Sequence, residues 1–284
     1  MNILRISRRS AVSGLATIAM CMSGGTASAD ANRTDAVGRR YLALGDSLAF
    51  GFSPLLEDPW IPKRFVGYPE VIGRWTGVQT TNLACPGQTA QALVSRDAVD
   101  AGCFDFRDRA NEQGIKVLHA DYMGTQLDAA LDAVRSATPP SLISIQGGGN
   151  DWALCEFDSP DPEQCLAETL PRVTASLLHA TRHLRAAGYR GQVVLVGYHL
   201  VPDFEASLRR VNGAIEQAAR RSNVAFADTA VLFAWSAQRH HGDLCLAGLL
   251  VKLAEGSCDP LHPSATGHHL VAAAVLAAAM ARHR

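Results

Sequence analysis

The stretch Tyr41-Leu42-Ala43-Leu44-Gly45-Asp46-Ser47-Leu48 joins four apolar residues to a glycine, an acid and a serine. An apolar run without polar alternation suits a strand buried on both faces, as in parallel sheets. Segments 78–83, 142–145, 193–196 and 224–227 read the same way. Helical patterns lie between them at 68–75, 125–137, 166–187 and 204–222, and an alanine-rich one covers 265–281. Gly188 and Gly191 punctuate the chain as helix-ending and turn glycines. This alternation predicts one α/β domain whose parallel sheet carries helices on both faces. Ligands of such sheets bind beyond the carboxyl ends of the strands. Ser47 follows the first strand, Gly87 the second and Asn150 the third, so all three are expected on one rim.

Composition narrows the class. The 284 residues are 48% hydrophobic and 19% charged, which fits a globular chain and argues against disorder. Residues 1–29 read as an export signal: Arg5, Arg8 and Arg9 open it, an apolar run follows, and Ala27-Ser28-Ala29 forms a small-residue cleavage site before Asp30. Ser7-Arg8-Arg9 is similar to a twin-arginine signal, although Ser10 and Ala11 stand where that signal carries bulky apolar residues. Met20 is large for a lipoprotein attachment box at Cys21, and the apolar run is shorter than the roughly 20 residues that span a bilayer. Residues 30–40 are expected as a linker and 41–284 as the folded domain. Removing the signal, which holds three arginines and no acids, leaves a formal net charge of −4. Neither that balance nor the scatter of arginines points to nucleic acid.

Six cysteines remain outside the signal: Cys85, Cys103, Cys155, Cys165, Cys245 and Cys258. In an exported chain they suggest three disulfides. Sequence permits many pairings; joining sequence neighbours gives Cys85–Cys103, Cys155–Cys165 and Cys245–Cys258. No Cys-x-x-Cys or His-Glu-x-x-His is present, and His179 with His183 reads as two solvated helix histidines, so no metal is expected.

The chemistry-bearing segments are individually modest. Gly45-Asp46-Ser47 is a common turn. Gly147-Gly148-Gly149-Asn150-Asp151 lacks the Gly-x-Gly-x-x-Gly spacing of a dinucleotide site, and no helix is expected to follow it at once. Asp259-Pro260-Leu261-His262 offers an acid three residues before an imidazole, with Ser264 as a cap for the last helix. A serine hydroxyl needs a positioned base, and a carboxylate can hold that base in its useful tautomer.

The order of Gly45-Asp46-Ser47-Leu48, Gly87, Gly148-Gly149-Asn150-Asp151 and Asp259-Pro260-Leu261-His262 resembles the SGNH or GDSL hydrolases over residues 41–282. That resemblance implies a three-layer α/β/α sandwich with a central, mostly parallel five-stranded sheet. It implies Ser47 as nucleophile, His262 as general base and Asp259 as its orienting acid. The N–H groups of Ser47 and Gly87 and the Asn150 side chain would form the oxyanion hole, with no cofactor. Asp46 and Asp151 are read as loop-ordering groups. His268 and His269 are expected to face the surface of the last helix or pack locally, and His240 and His241 to lie in a loop. No serine lies in Gly-x-Ser-x-Gly, so an α/β-hydrolase is not expected.

Two apolar segments bear on the substrate. Leu244-Cys245-Leu246-Ala247-Gly248-Leu249-Leu250-Val251 reads either as a wall or lid for an acyl chain or as a buried satellite helix. Phe50-Gly51-Phe52-Ser53-Pro54-Leu55-Leu56 could line the same cleft. These favour a secreted, monomeric esterase or lipase acting on small-molecule or lipid esters, fatty acyl esters above all. A polysaccharide deacetylase is the alternative, although 6% aromatic residues offer few platforms for sugars. A lipid- or glycan-binding protein without catalysis is the reading from another class.

Overall fold

The computed structural model describes residues 39–281. The signal segment, Cys21 and most of the linker lie outside the described residues. Five parallel strands form the central sheet: β1 Arg40–Leu44, β2 Gln79–Asn82, β3 Leu142–Ile145, β4 Gln192–Val196 and β5 Ala225–Ala227, in the order β2-β1-β3-β4-β5. The helices are α1 Ser47–Phe50, α2 Tyr68–Thr76, α3 Cys103–Glu112, α4 Gln126–Arg135, α5 Gly149–Asp158, α6 Pro162–Ala186, α7 Glu205–Ser222, α8 Thr229–Ala237 and α9 Ala265–Ala281. α2, α8 and α9 pack together in one outer layer, and α4, α5, α6 and α7 in the other. The expected three-layer α/β/α sandwich is therefore present.

β1, β3 and β4 are buried along nearly their whole length, as their unbroken apolar runs require. β2 differs. Its Gln79-Thr80-Thr81-Asn82 is mostly polar because it forms the sheet edge, where one side meets solvent. Asn82 at its end is buried; its Nδ2 donates to the Ala49 carbonyl and to Glu70 Oε1, each at 2.9 Å. Those bonds tie the edge strand to α1 and α2.

Strand order decides where the site sits. From β1 the chain moves outward to β2, then returns to place β3 on the other side of β1. This reversal opens a crevice at the carboxyl ends of β1 and β3. Leu44 and Ile145 are paired in register, so the segments after the two strands leave the sheet at one level.

Four of the described helices escaped the sequence reading. α1, α3 and α8 fall in segments given no helix there, and α5 begins at Gly149 itself, correcting the expectation that no helix follows the glycine run at once. Glycine lowers helix propensity by about 1 kcal/mol, but packing of α5 on α6 and α7 overrides that at Gly149. The 244–251 segment is not a helix. It turns at Gly248, whose φ is +70°, and enters strand β6 Leu250–Lys252, paired antiparallel with β7 Cys258–Pro263. Leu244, Leu249, Leu250 and Val251 are buried there, while Leu246 is exposed. The structure joins Cys85 to Cys103, Cys155 to Cys165 and Cys245 to Cys258. Among the described residues no helix is long and apolar enough to cross a membrane.

Candidate active site

The turn after β1 is fixed by groups distant in sequence. A Cβ on Gly45 would stand 2.8 Å from that of Ala49 and 3.1 Å from the Gln146 carbonyl, so a side chain has no room there. The Gly45 N–H donates to Gln126 Oε1 at 2.7 Å, and Gln126 Nε2 donates back to the Gly45 carbonyl at 2.8 Å. Asp46 then caps α1, its Oδ1 accepting from the Leu48 N–H at 2.9 Å, while Oδ2 accepts from the Tyr198 hydroxyl at 2.6 Å. Ser47 is the first residue of α1, where a helix leaves its N–H groups without intrahelical partners.

α1 packs against β7, which carries Asp259 and His262. His262 Nε2 lies 3.1 Å from Ser47 Oγ, and its Nδ1 lies 2.7 Å from Asp259 Oδ2. Asp259 Oδ1 accepts from the backbone N–H groups of Leu261 and His262 at 2.8 and 3.2 Å, which locks the carboxylate within its own loop. With Nδ1–H donated to Asp259, the Nε2 lone pair faces the serine. The Phe52 ring meets the imidazole edge-on at 4.8 Å between centroids.

Two further segments carry the other expected site residues. Gly87 follows β2 with φ +84°, and a Cβ there would sit 2.4 Å from the Ala101 carbonyl. Asn150, in the first turn of α5, donates through Nδ2 to the Gln88 carbonyl at 3.0 Å. That bond uses one of two amide protons and leaves the other free to donate. Asp151 is buried and accepts from the Ala90 N–H at 2.7 Å, so it holds the Gly87 loop against α5. A pocket of about 100 Å³ opens beside Ser47, lined on its polar side by Asn150, His262 and His199. Gly87 is not among its lining residues, nor is any residue of 244–251; of the 50–56 segment none lines it, the nearest contributor being Leu48.

Several residues here carried no sequence signal. Gln126 is fully buried and also reaches Gln88 Oε1 at 3.1 Å, so one amide couples the Ser47 turn to the Gly87 loop. Tyr198 and His199 could have been sought, since they follow the apolar strand β4 on the expected rim. His199 is buried, stacks on Phe233 at 4.8 Å, and its Nε2 lies 3.5 Å from the Pro260 carbonyl. His268 is buried in α9 whereas His269 is exposed beside Trp75, and His240 and His241 are exposed. Ser264 Oγ accepts from the Gly267 N–H at 3.2 Å at the start of α9.

Burial dominates the electrostatics. It lowers His199 to about 4 and His268 to about 3, so both rings are neutral at neutral pH. Burial also pushes the Asp259 carboxyl up, but the His262 hydrogen bond and charge and the two backbone N–H donors outweigh it and hold it below its ordinary value. Asp46 goes the other way. Its burial raises it from 3.8 to about 6 despite the hydrogen bonds from Tyr198 and Leu48. Between those values the folded chain keeps a proton on Asp46 that the unfolded chain has released. This contribution to stability, at most about 3 kcal/mol, is complete below pH 3.8 and lost as pH rises through about 6. Asp46→Asn, which has no such proton to lose, is expected to flatten the decline in denaturation midpoint across that window. Parallel midpoint curves for variant and parent would contradict the assignment.

The family model for the GDSL-like lipase/acylhydrolase family matches residues 43–270. Phospholipase A1 from Streptomyces albidoflavus superposes with a TM-score of 0.54 at 19% identity, covering 85% of this chain and 99% of that one. A catalytic mutant of an acetylxylan esterase from Geobacillus stearothermophilus gives 0.52 at 18% identity, covering 84% and 93%. At such identities the likeness is one of fold. No curated protein sequence matches the chain. The match of the family model over most of the chain, on a fold its solved neighbours share, places the protein in the GDSL-like lipase/acylhydrolase family.

Proposed function

We propose that the chain is an exported carboxylic-ester hydrolase working through Ser47, His262 and Asp259. One observation carries the reading: Ser47 Oγ, the His262 ring and Asp259 stand in hydrogen-bonded sequence at 3.1 and 2.7 Å. Ser47 Oγ attacks the ester carbonyl as His262 Nε2 takes its proton, and the imidazolium is stabilised by ionised Asp259. His262 then returns the proton to the departing alcohol. A water molecule, deprotonated by the same ring, cleaves the acyl-enzyme and restores Ser47.

Negative charge on the carbonyl oxygen needs donors already in place. The Ser47 N–H at the start of α1, the Gly87 N–H and the spare Nδ2 proton of Asn150 are assigned that task. The Gln88 carbonyl fixes the Asn150 amide before substrate arrives, so little reorganisation accompanies reaction. A binding protein without catalysis has no use for a serine so aligned with a carboxylate-bound histidine. Export is supported by the 1–29 segment and by the pairing of all six cysteines beyond it, which suits an oxidising compartment.

A fluorophosphonate is expected to label the folded protein stoichiometrically at Ser47, and Ser47→Ala to abolish both labelling and hydrolysis of aryl esters. Asn150→Ala should lower kcat by roughly 10²–10³ while leaving the fold intact. Full activity in the serine variant would overturn the mechanism. The intact mass of exported protein should begin at Asp30; a mass retaining residues 1–29 would sink the cleavage.

A further inference from the structure

The pocket beside Ser47 has a size and a floor that the reaction alone does not require. We propose that it receives the acyl chain and that Trp152 sets its depth, so that acids of roughly four carbons are the preferred acyl groups. This rests on the ester-hydrolase reading above and narrows its substrate class.

Volume is the first ground. The pocket offers about 100 Å³, whereas an apolar cavity of about 150 Å³ holds benzene. A short acyl chain fits within it, whereas a palmitoyl chain would extend beyond it. Lining chemistry is the second. Beyond the reacting groups the apolar walls are Leu48, Trp152, Ala153, Val201, Leu208 and Leu261, joined by Gly149 and Tyr198. The one carboxylate present, Asp46, is already bonded to Tyr198, and His199 is a neutral ring. Such walls favour methylenes over a bare acetyl group, because each methylene moved from water into an apolar site raises the rate constant about fourfold.

Rigidity is the third. Trp152 is 2% exposed; its Nε1 donates to Ser207 Oγ at 2.9 Å, and its ring meets Phe157 and Phe204 edge-on at 5.6 and 5.4 Å. Rotating the indole away would break that bond and both ring contacts. The helix that carries it is joined to α6 through Cys155–Cys165 and to the Gly87 loop through Asp151. These contacts hold the indole in its place against the entry of a longer chain. Trp152 and Ala153 line the same pocket as Asn150 and Ser47, so a carbonyl oxygen held by Asn150 leaves its acyl carbons within that lining. The leaving oxygen faces His262.

The test is kcat/KM on monomeric aryl esters from acetyl to palmitoyl, with Ser47 titrated by fluorophosphonate to count active molecules. The folded parent is expected to gain about tenfold from acetyl to butyryl and to lose at least tenfold by octanoyl. Ala153→Leu, which fills the pocket, should move the optimum to acetyl, and Leu208→Ala and Trp152→Ala should move it to longer chains. If Trp152→Ala fails to fold, the other two variants decide. A parent profile that is flat or rises to palmitoyl, or an optimum that stays put in the folded variants, overturns the pocket assignment and leaves the ester-hydrolase reading standing. Labelled Ser47 with no hydrolysis of any ester in the series overturns both.

Discussion

The side-chain amide of Gln126 pairs with the backbone of Gly45 in both directions, as a neighbouring strand would. At the end of β1 the sheet gives way to the serine turn, and a buried N–H left there without a partner would cost about 1–3 kcal/mol. Gln126 supplies the partner and extends to Gln88, so the turn that presents Ser47 and the loop that presents Gly87 share one anchor. Asp46 completes the arrangement from the other side through the Leu48 N–H and Tyr198. The serine is held by neighbours from the segment after β4, from α4 and from its own helix before any substrate enters.

A second constraint is covalent. Each disulfide lies beside one of the segments that converge on Ser47: Cys85 two residues before Gly87, Cys155 on the helix that begins with Asn150, and Cys258 next to Asp259. Loops of these lengths stabilise by about 3 kcal/mol each in the chain-entropy account. Their placement restrains the segments that the sheet does not hold. Ser47, which follows β1 directly and has Gln126 behind it, carries no disulfide of its own.

Sequence disclosed these features unevenly, for physical reasons. Strands β1, β3 and β4 were legible because burial on both faces demands continuous apolar runs. Polar β2 showed only through its flanks, Val78 and Leu83. The alternation of strands and helices was enough to give the sandwich and the rim on which Ser47, Gly87 and Asn150 lie. Gln126 was invisible, since a glutamine in the first turn of a helix is unremarkable until the fold brings Gly45 against it. The 244–251 segment misled for the opposite reason. Its apolar residues are buried within and just before β6, while the space beside Ser47 is walled by α5 and α7 residues such as Trp152 and Leu208, which a periodicity reading assigns to ordinary helix packing.

Catalysis as proposed requires Ser47, Asn150 and the Gly87 loop to act on one tetrahedral centre. A crystal structure of the protein phosphonylated by a butyl fluorophosphonate tests that directly. Phosphorus should be bonded to Ser47 Oγ, the phosphoryl oxygen should lie within hydrogen-bond distance of Asn150 Nδ2 and the Gly87 N–H, and the butyl group should rest on Trp152. Phosphorus on another residue, or a phosphoryl oxygen turned away from both donors, would contradict it.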